Sequence, residues 1–336
     1  MRRITGASKT ADRIFQVATG ICASSPVLFL LAITAIVVVQ SIPTMRFMGW
    51  EFITHVTWNI GNLYGAMTHK HGVSVPMGAS YGALVFIVGT IASSLIALII
   101  AIPVSILTAM ILAYRVRGPL GWILSILVEL LAGIPSVVIG LWGILVLAPW
   151  IGHQFGPFLK SVFGFIPFFG GSVGSGYGLL TSGIVLAIMI VPIITATTRD
   201  LFQQVPLLAR EGGLGLGMTT WETVRFICLP YIKNGLVGAV ALGWGRAMGE
   251  TMAVLMVSGS AINILPHNLY SPISTMAAFI ADQLDSAQTD ASGMAVHALS
   301  EMALVLLIIT LLTNLFARWL VGGRSTTKRA RAGARV

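Results

Sequence analysis

Three residues with chemistry to offer, Arg246, Glu250 and Thr251, lie inside an apolar run that starts near Lys233 and is long enough to cross a bilayer. At 1.5 Å per residue, Arg246 would lie ~20 Å along a helix begun at Lys233, within a hydrocarbon core of ~30 Å. A charge at that depth costs at least ~2.5–3.5 kcal/mol on insertion scales, so two of them need a physical reason. Spaced four apart, Arg246 and Glu250 share one helix face and can touch. Such a face must look into protein or into a water-filled path. Two readings follow: a permanent ion pair that fixes how this helix packs, or a pair that takes part in moving a charged solute.

The elements that would position these residues are membrane helices. The chain has 336 residues, 56% of them hydrophobic and 9% charged, with a mean hydropathy of +0.91, which marks an all-α integral membrane protein. Apolar runs place six transmembrane helices near 14–42, 82–114, 120–150, 178–198, 233–260 and 297–321. Each is helical by necessity, because backbone groups in lipid must be satisfied within the segment. The short alternating segments of a membrane β-barrel are absent. The net charge of +9 is a topology signal and not a nucleic-acid patch. With the N-terminus inside, every Lys and Arg except Arg46, Lys70, Lys160 and Arg246 falls in an inner segment. Both termini are then cytoplasmic in a multi-pass plasma-membrane protein. The first apolar run continues to Ile42, too long for a cleaved signal, so it is an uncleaved span. Ser24-Ser25-Pro26 interrupts it, and residues 11–23 are expected to lie along the interface. The organisation is a basic N-terminus (1–13), a first span with an external segment (14–81), a permease-like core (82–321) holding the internal loop 199–233, and a basic tail (322–336).

The remaining candidates are sorted by the same physics. Glu129, with Pro135 and Ser136 soon after, falls in the third span, where a gating or packing role is the expected one. Pro103 should kink the second span, and His297 and Glu301 at i, i+4 should touch near the outer end of the last. The glycine-rich segment 152–178 could dip back into the protein as a re-entrant loop. His69-Lys70-His71 lacks a nearby acid and is not read as a metal site, and Cys22 and Cys228 imply no disulfide framework. Segment 261–296 is acidic and reads as a solvated face. In the loop 199–233, Pro206 can open a short helix, Gly217 can end it, and Thr219 or Thr220 can cap a second that stops at Pro230. Two short amphipathic helices presenting Trp221 make a docking surface or an interfacial anchor. No P-loop, HExxH, GxSxG or EF-hand pattern occurs, so no enzyme chemistry is expected in this chain and no cofactor.

These residues resemble a known family. Glu211-Gly-Gly, three residues, Gly217, then Ile227-Cys-Leu229-Pro230 is similar to the EAA coupling loop of permease subunits in ABC importers, with Gly212-Gly213 standing where that family has small residues led by alanine. Tyr81-Gly-Ala-Leu-Val-Phe-Ile-Val-Gly-Thr90, Glu129-Leu-Leu-Ala-Gly-Ile-Pro-Ser136 and Gly245-Arg246-Ala-Met-Gly-Glu250-Thr-Met-Ala-Val254 resemble the C-type permeases of phosphate-specific (Pst) importers. The likeness covers residues 81–321; Ser260 departs from the asparagine expected after Ser258-Gly259.

The resemblance implies a type I ABC importer permease fold. It implies four partners: an A-type permease, a cytoplasmic ATPase dimer that binds ATP and Mg, an external phosphate-binding protein, and inorganic phosphate. It also implies that Glu211, Gly217, Trp221, Leu229 and Pro230 couple the chain to the ATPase. Arg246, with planar and permanently charged donors, suits phosphate oxygens. Glu250 can accept the proton that phosphate keeps and sulfate lacks, and can neutralise Arg246 when no anion is present, with Thr251 adding a hydrogen bond. A permease for another oxyanion, sulfate or molybdate, remains an alternative, and an ion-driven carrier a more distant one.

Overall fold

The computed structural model describes residues 6–116, 118–290 and 292–322. Among them six helices are long and apolar enough to cross a membrane. In chain order the elements are α1 (Gly6–Met48), a single turn α2 (Glu51–Thr54), strands β1 (Trp58–Asn59), β2 (Asn62–Lys70), β3 (Val73–Met77) and β4 (Ser80–Tyr81), then α3 (Leu84–Tyr114) and α4 (Gly118–Ala132). There follow α5 (Ser136–Phe163), α6 (Leu179–Gln203), α7 (Leu207–Gly215), α8 (Thr220–Gly249), α9 (Met252–Val257), α10 (Met276–Gln288) and α11 (Met294–Gly322).

Contacts fix the direction of each span. α3 and α6 run parallel: Gly183 lies on Ile96, the Ser105 hydroxyl donates to the Val191 carbonyl at 3.1 Å, and Tyr114 OH donates to the Phe202 carbonyl at 2.9 Å. α8 runs against α6, with Gly235 on Leu201 and Gly243 on Ile194. α11 in turn runs against α8, with Asn314 beside Gly245 and Thr313 beside Met248. α9 follows α5, with Gly140 on Ala253 and Gly143 on Val257. His297 Nδ1 meets the Gln40 carbonyl at 2.8 Å, which sets α1 against α11. Successive spans therefore alternate. The seams are packed by apolar clusters: Ala97, Leu186, Ile190, Ile194 and Ala239 between α3, α6 and α8, and Ile139, Leu147, Val185, Ala253 and Val257 between α5, α6 and α9.

Several expectations from sequence need correction. α1 is one continuous helix, with no interfacial piece at residues 11–23. Pro26 removes the donor for the Cys22 carbonyl, and the Ser25 hydroxyl replaces it at 3.0 Å, so the serines carry the helix through the proline. The third span is not 120–150 but 136–163: α4 ends at Ala132, and Gly133-Ile134-Pro135 breaks the run. Residues 152–163 are helical, so only the latter part of the glycine-rich segment is a loop; it turns back along α5, where Val173 packs on Gly156 and the buried Gly176 lies against the Ala148 carbonyl. Nor does the helix stop at Pro230; α8 runs through it. Wide π-type turns at Gly143–Leu147, Ile151–Phe155 and Val224–Cys228 each end two residues before a proline, Pro149, Pro157 and Pro230. A proline clashes with the carbonyl four residues earlier, and in each case that carbonyl sits in a widened turn that moves it aside. Glu301 makes no hydrogen bond or ion pair with His297; it is buried, and its Oε2 has no hydrogen-bond partner among the described residues.

At the end away from α7, the segment between α1 and α3 is a folded hairpin. β2 pairs with β3 through a two-residue loop, His71-Gly72, both at positive φ (52° and 76°), as a right-twisted hairpin requires. β1 pairs with β4, placing Trp58 and Tyr81 against Phe86 of α3 and Phe279 of α10 in one aromatic cluster, where Phe86 and Phe279 stack at 4.0 Å. Asp290 caps α11: it accepts hydrogen bonds from Ser292 N (2.9 Å), the Ser292 hydroxyl (2.7 Å) and Ala295 N (3.0 Å). Burial pushes this carboxyl's pKa up, but those donors outweigh it and hold it below the usual carboxylate range. The cap is thus in place above the ordinary carboxylate pKa and is lost only as pH falls through the lowered one.

Gly89 of α3 shows how closely this end is packed, because a Cβ there would run into the Ser274 carbonyl. Gly89→Ala is expected to lower the thermal unfolding midpoint of the detergent-purified protein by several degrees. Gly20→Ala, with nothing within 4 Å, should leave it within about a degree.

Candidate functional site

The fifth apolar run breaks where its charges are. α8 ends at Gly249, Glu250 is extended (φ −69°, ψ 129°), and helix resumes at Met252 as α9. The Thr251 hydroxyl donates to the Gly249 carbonyl at 3.3 Å, serving one of the acceptors the helix end leaves open. Arg246 lies in the last turn of α8, where a cation also faces the negative end of the helix dipole. Its depth is set by its neighbours: Trp244 Nε1 donates to the Ser94 hydroxyl in α3 at 3.1 Å, and Gly243 packs on Ile190 and Ile194, in the middle of α6. Arg246 is exposed at the chain surface, while Glu250 and Thr251 are half-buried.

Arg246 and Glu250 do not pair, contrary to the expectation for a single continuous helix. The break swings Glu250 off the face that i, i+4 spacing would give it. Among the described residues the only ion pairs are those of Arg199, with Glu129 at 3.0 Å and Asp200 at 2.9 Å. The Arg246 guanidinium has no anionic partner among the described residues.

A second break stands beside the first. Pro135 (φ −57°, ψ 135°) separates α4 from α5, and Ser136 opens α5. Because α5 and α9 run parallel with Gly140 on Ala253 and Met256, Ser136 is brought level with Glu250 and Thr251. Both sites of irregular backbone therefore occur at one depth, which a membrane protein tolerates only where protein or water can serve the freed backbone groups. Glu129 is placed away from Arg246. It ties α4, which buries none of its residues, to Arg199 on α6.

At the other end of α8 is the docking loop. Pro206 caps α7, and the backbone passes Leu216 and turns at Gly217 (φ +83°). Thr219 then opens α8 with a full capping box: its backbone N donates to Glu222 Oε2 at 2.8 Å, and Glu222 N donates to the Thr219 hydroxyl at 3.3 Å. Arg210 stacks over the Tyr114 ring at 4.0 Å, and Val205, Val224, Cys228 and Ile232 pack with Ala109 and Phe202, so the loop is bolted to the ends of α3 and α6. Leu208 and Leu216 nevertheless stay 83% exposed, and Glu211, Trp221 and Pro230 are exposed beside them, while Leu229 turns partly inward to that cluster. An apolar face this open at a rigidly mounted loop suits a partner surface.

The two loop glycines differ. A Cβ on Gly213 would meet the tip of the Ile227 side chain, which must turn aside, and would touch Thr223 and Met218, whereas Gly212 points into open space.

Comparison with known proteins supplies the family. Residues 101–323 match the binding-protein-dependent transport system inner membrane component family, a span that includes both breaks, Arg246 and the docking loop. The chain belongs to this family. Its relatives include phosphate transport system permease protein PstC 1 of Mycobacterium tuberculosis, 49% identical over 92% of each chain. Another is the phosphate transport system permease protein PstC of Pasteurella multocida, 38% identical over 92% of this chain and 91% of that one. Among solved structures, the inward-facing MetNI methionine ABC transporter aligns over 71% of this chain and 93% of its own, with 18% identity and a TM-score of 0.48. Family membership and the six apolar helices make this a multi-pass inner membrane protein with the type I ABC importer permease architecture.

Sequence reading missed Arg199 as the partner of Glu129, and Arg210 as the latch on Tyr114. The signal for the first was a lone arginine still inside helical periodicity at the end of the fourth apolar run; for the second there was none. Gly213→Ala is expected to change stability by no more than about 1 kcal/mol, since the Ile227 tip can turn aside while alanine gains helix propensity, and to leave association with partner subunits intact. Gly212→Ala should be neutral or stabilise by about 0.5–1 kcal/mol. Thermal melts and pull-downs of the two variants check both.

Proposed function

We propose that this chain is the transmembrane permease subunit of an ATP-driven phosphate importer. It would form the path with a second, A-type permease, take phosphate from an external binding protein and be driven by a separate cytoplasmic ATPase dimer, which binds the ATP and Mg. The observation that carries the proposal is a guanidinium with no ion-pair partner among the described residues, exposed on the bundle surface beside a helix break, on the helix that begins at the docking loop. The identity of the anion is supported by the names of the relatives.

The α7 end is cytoplasmic in this account. It carries Arg115, Arg210, Arg225 and Lys233, whereas Arg46, Lys70 and Lys160 are the cations of the other end. Leu208, Leu216, Glu211 and Trp221 would then face the ATPase. Movement there passes into α8 directly, since α8 is helical from Thr220 to Gly249, and reaches Arg246 about 39 Å away.

At the break, Arg246 offers two parallel N–H donors to a phosphate oxygen pair. Because it has no internal carboxylate partner, the anion itself supplies the neutralising charge. Glu250, next along the chain, would accept the proton phosphate retains, and the Thr251 hydroxyl would donate one hydrogen bond on leaving the Gly249 carbonyl. A carboxylate acceptor favours a protonated oxyanion over sulfate, which at neutral pH has no proton to give.

Uptake of radiolabelled phosphate by the reconstituted complex, with excess sulfate as competitor, tests this. Phosphate uptake insensitive to sulfate is expected, and uptake of sulfate instead would contradict the reading. Arg246→Gln should reduce phosphate uptake about 10- to 100-fold at normal assembly, the range for loss of a charge-assisted hydrogen bond. Glu250→Gln should reduce it while weakening the discrimination against sulfate.

A further inference from the structure

Two adjoining clefts open along the seam between α8 and α11. One, of about 410 Å³, is lined by Arg246, Gly245, Thr310 and Asn314; the other, of about 390 Å³, by Asn234, Gly238, Asn314 and Arg318. They share Ala241, Leu242 and Asn314, so they form one trough. From Arg246 to Asn234 is twelve residues of α8, about 18 Å. The trough leads from the break toward the docking-loop end of the bundle.

Its composition is specific. Gly238, Ala241, Gly245 and Ala317 leave no side chain large enough to fill it. Neither lining contains a carboxylate. The Asn234 and Asn314 amides make no hydrogen bond among the described residues, and neither Arg246 nor Arg318 has an ion-pair partner there. The Thr310 hydroxyl is tied back to the Leu306 carbonyl at 2.8 Å, so it adds polarity rather than a free donor. Unengaged amides and guanidiniums facing hydrocarbon would each carry a desolvation cost. The guanidiniums are donors without acceptors, each amide can turn its NH2 toward an anion, and no carboxylate opposes them, a set that fits a phosphate oxyanion.

We propose that this trough is the inward leg of the phosphate path: the anion leaves Arg246, passes the neutral amides of Asn314 and Asn234, and is drawn to Arg318 before release. Neutral rungs between two cations keep any one stop from becoming a trap, as conduction requires. The proposal rests on the phosphate-permease reading. An anionic lipid headgroup offers the same phosphate chemistry to the Arg318 end, so the test must separate the two sources.

In proteoliposomes of the complete importer, Asn314→Asp places a carboxylate midway along the trough. It should lower phosphate uptake at least tenfold with assembly and basal ATP hydrolysis retained, while Asn314→Gln keeps at least half. If the Asp variant fails to assemble, Arg318→Gln serves instead, with at least a threefold loss of uptake expected and recovery in Arg318→Lys. Uptake within twofold of wild type in an assembled Asn314→Asp or Arg318→Gln complex would overturn the proposal. So would a loss of uptake confined to vesicles containing anionic lipid, which would mark a headgroup site. Absence of phosphate uptake by the wild-type complex is a separate result: it would sink the functional reading, and this inference with it.

Discussion

In hydrocarbon a backbone amide or carbonyl has no water to bond, so a spanning segment must satisfy its own backbone or find a partner that does. Most of this chain obeys by staying helical, even through prolines, where widened turns or a serine hydroxyl repair the ladder. It departs from helix at 133–135 and at 250–251, and the parallel packing of α5 and α9 sets the two departures side by side. Everything functional in the account follows from where that exception is allowed. Freed backbone groups and an arginine with no ion-pair partner among the described residues stand together there.

The geometry also explains how a distant event could reach the break. The docking loop is held to α3 and α6 by Arg210 on Tyr114 and by a small apolar cluster, and it is joined to α8 through a capped, glycine-marked turn. α8 then carries on without interruption to Arg246. The same helix forms one wall of the trough facing α11. A shift of α8 would therefore move the cation and change the trough together.

Much of this was legible in the residues. Hydropathy gave six spans, and the Pro206, Gly217 and Thr219 signals placed the docking loop to within a residue, because local capping chemistry decides such boundaries. Helix interruptions were harder to read. Pro26 and Pro230 looked like stops and are not, since Ser25 and the turn at Val224–Cys228 relieve them. Gly249-Glu250 looked like uninterrupted helix and is the stop, because tertiary packing and not local propensity sets that end. The Arg246–Glu250 pairing failed for that reason: i, i+4 spacing means contact only while the helix lasts. Arg199 with Glu129 lies 70 positions apart in sequence, and no periodicity brings such residues together. The hairpin at 62–77 was hidden because a two-residue turn of His and Gly is a weak signal.

As proposed above, the break beside Arg246 opens onto the aqueous path of the anion. The most direct test is the reactivity of Thr251→Cys in the assembled importer, with Cys22 and Cys228 replaced by serine, toward a membrane-impermeant anionic methanethiosulfonate. The account predicts labelling that phosphate slows and that Arg246→Gln makes much slower even without phosphate, since the guanidinium draws the anionic reagent in. A cysteine that does not react, or reacts at the same rate with and without phosphate, would contradict it.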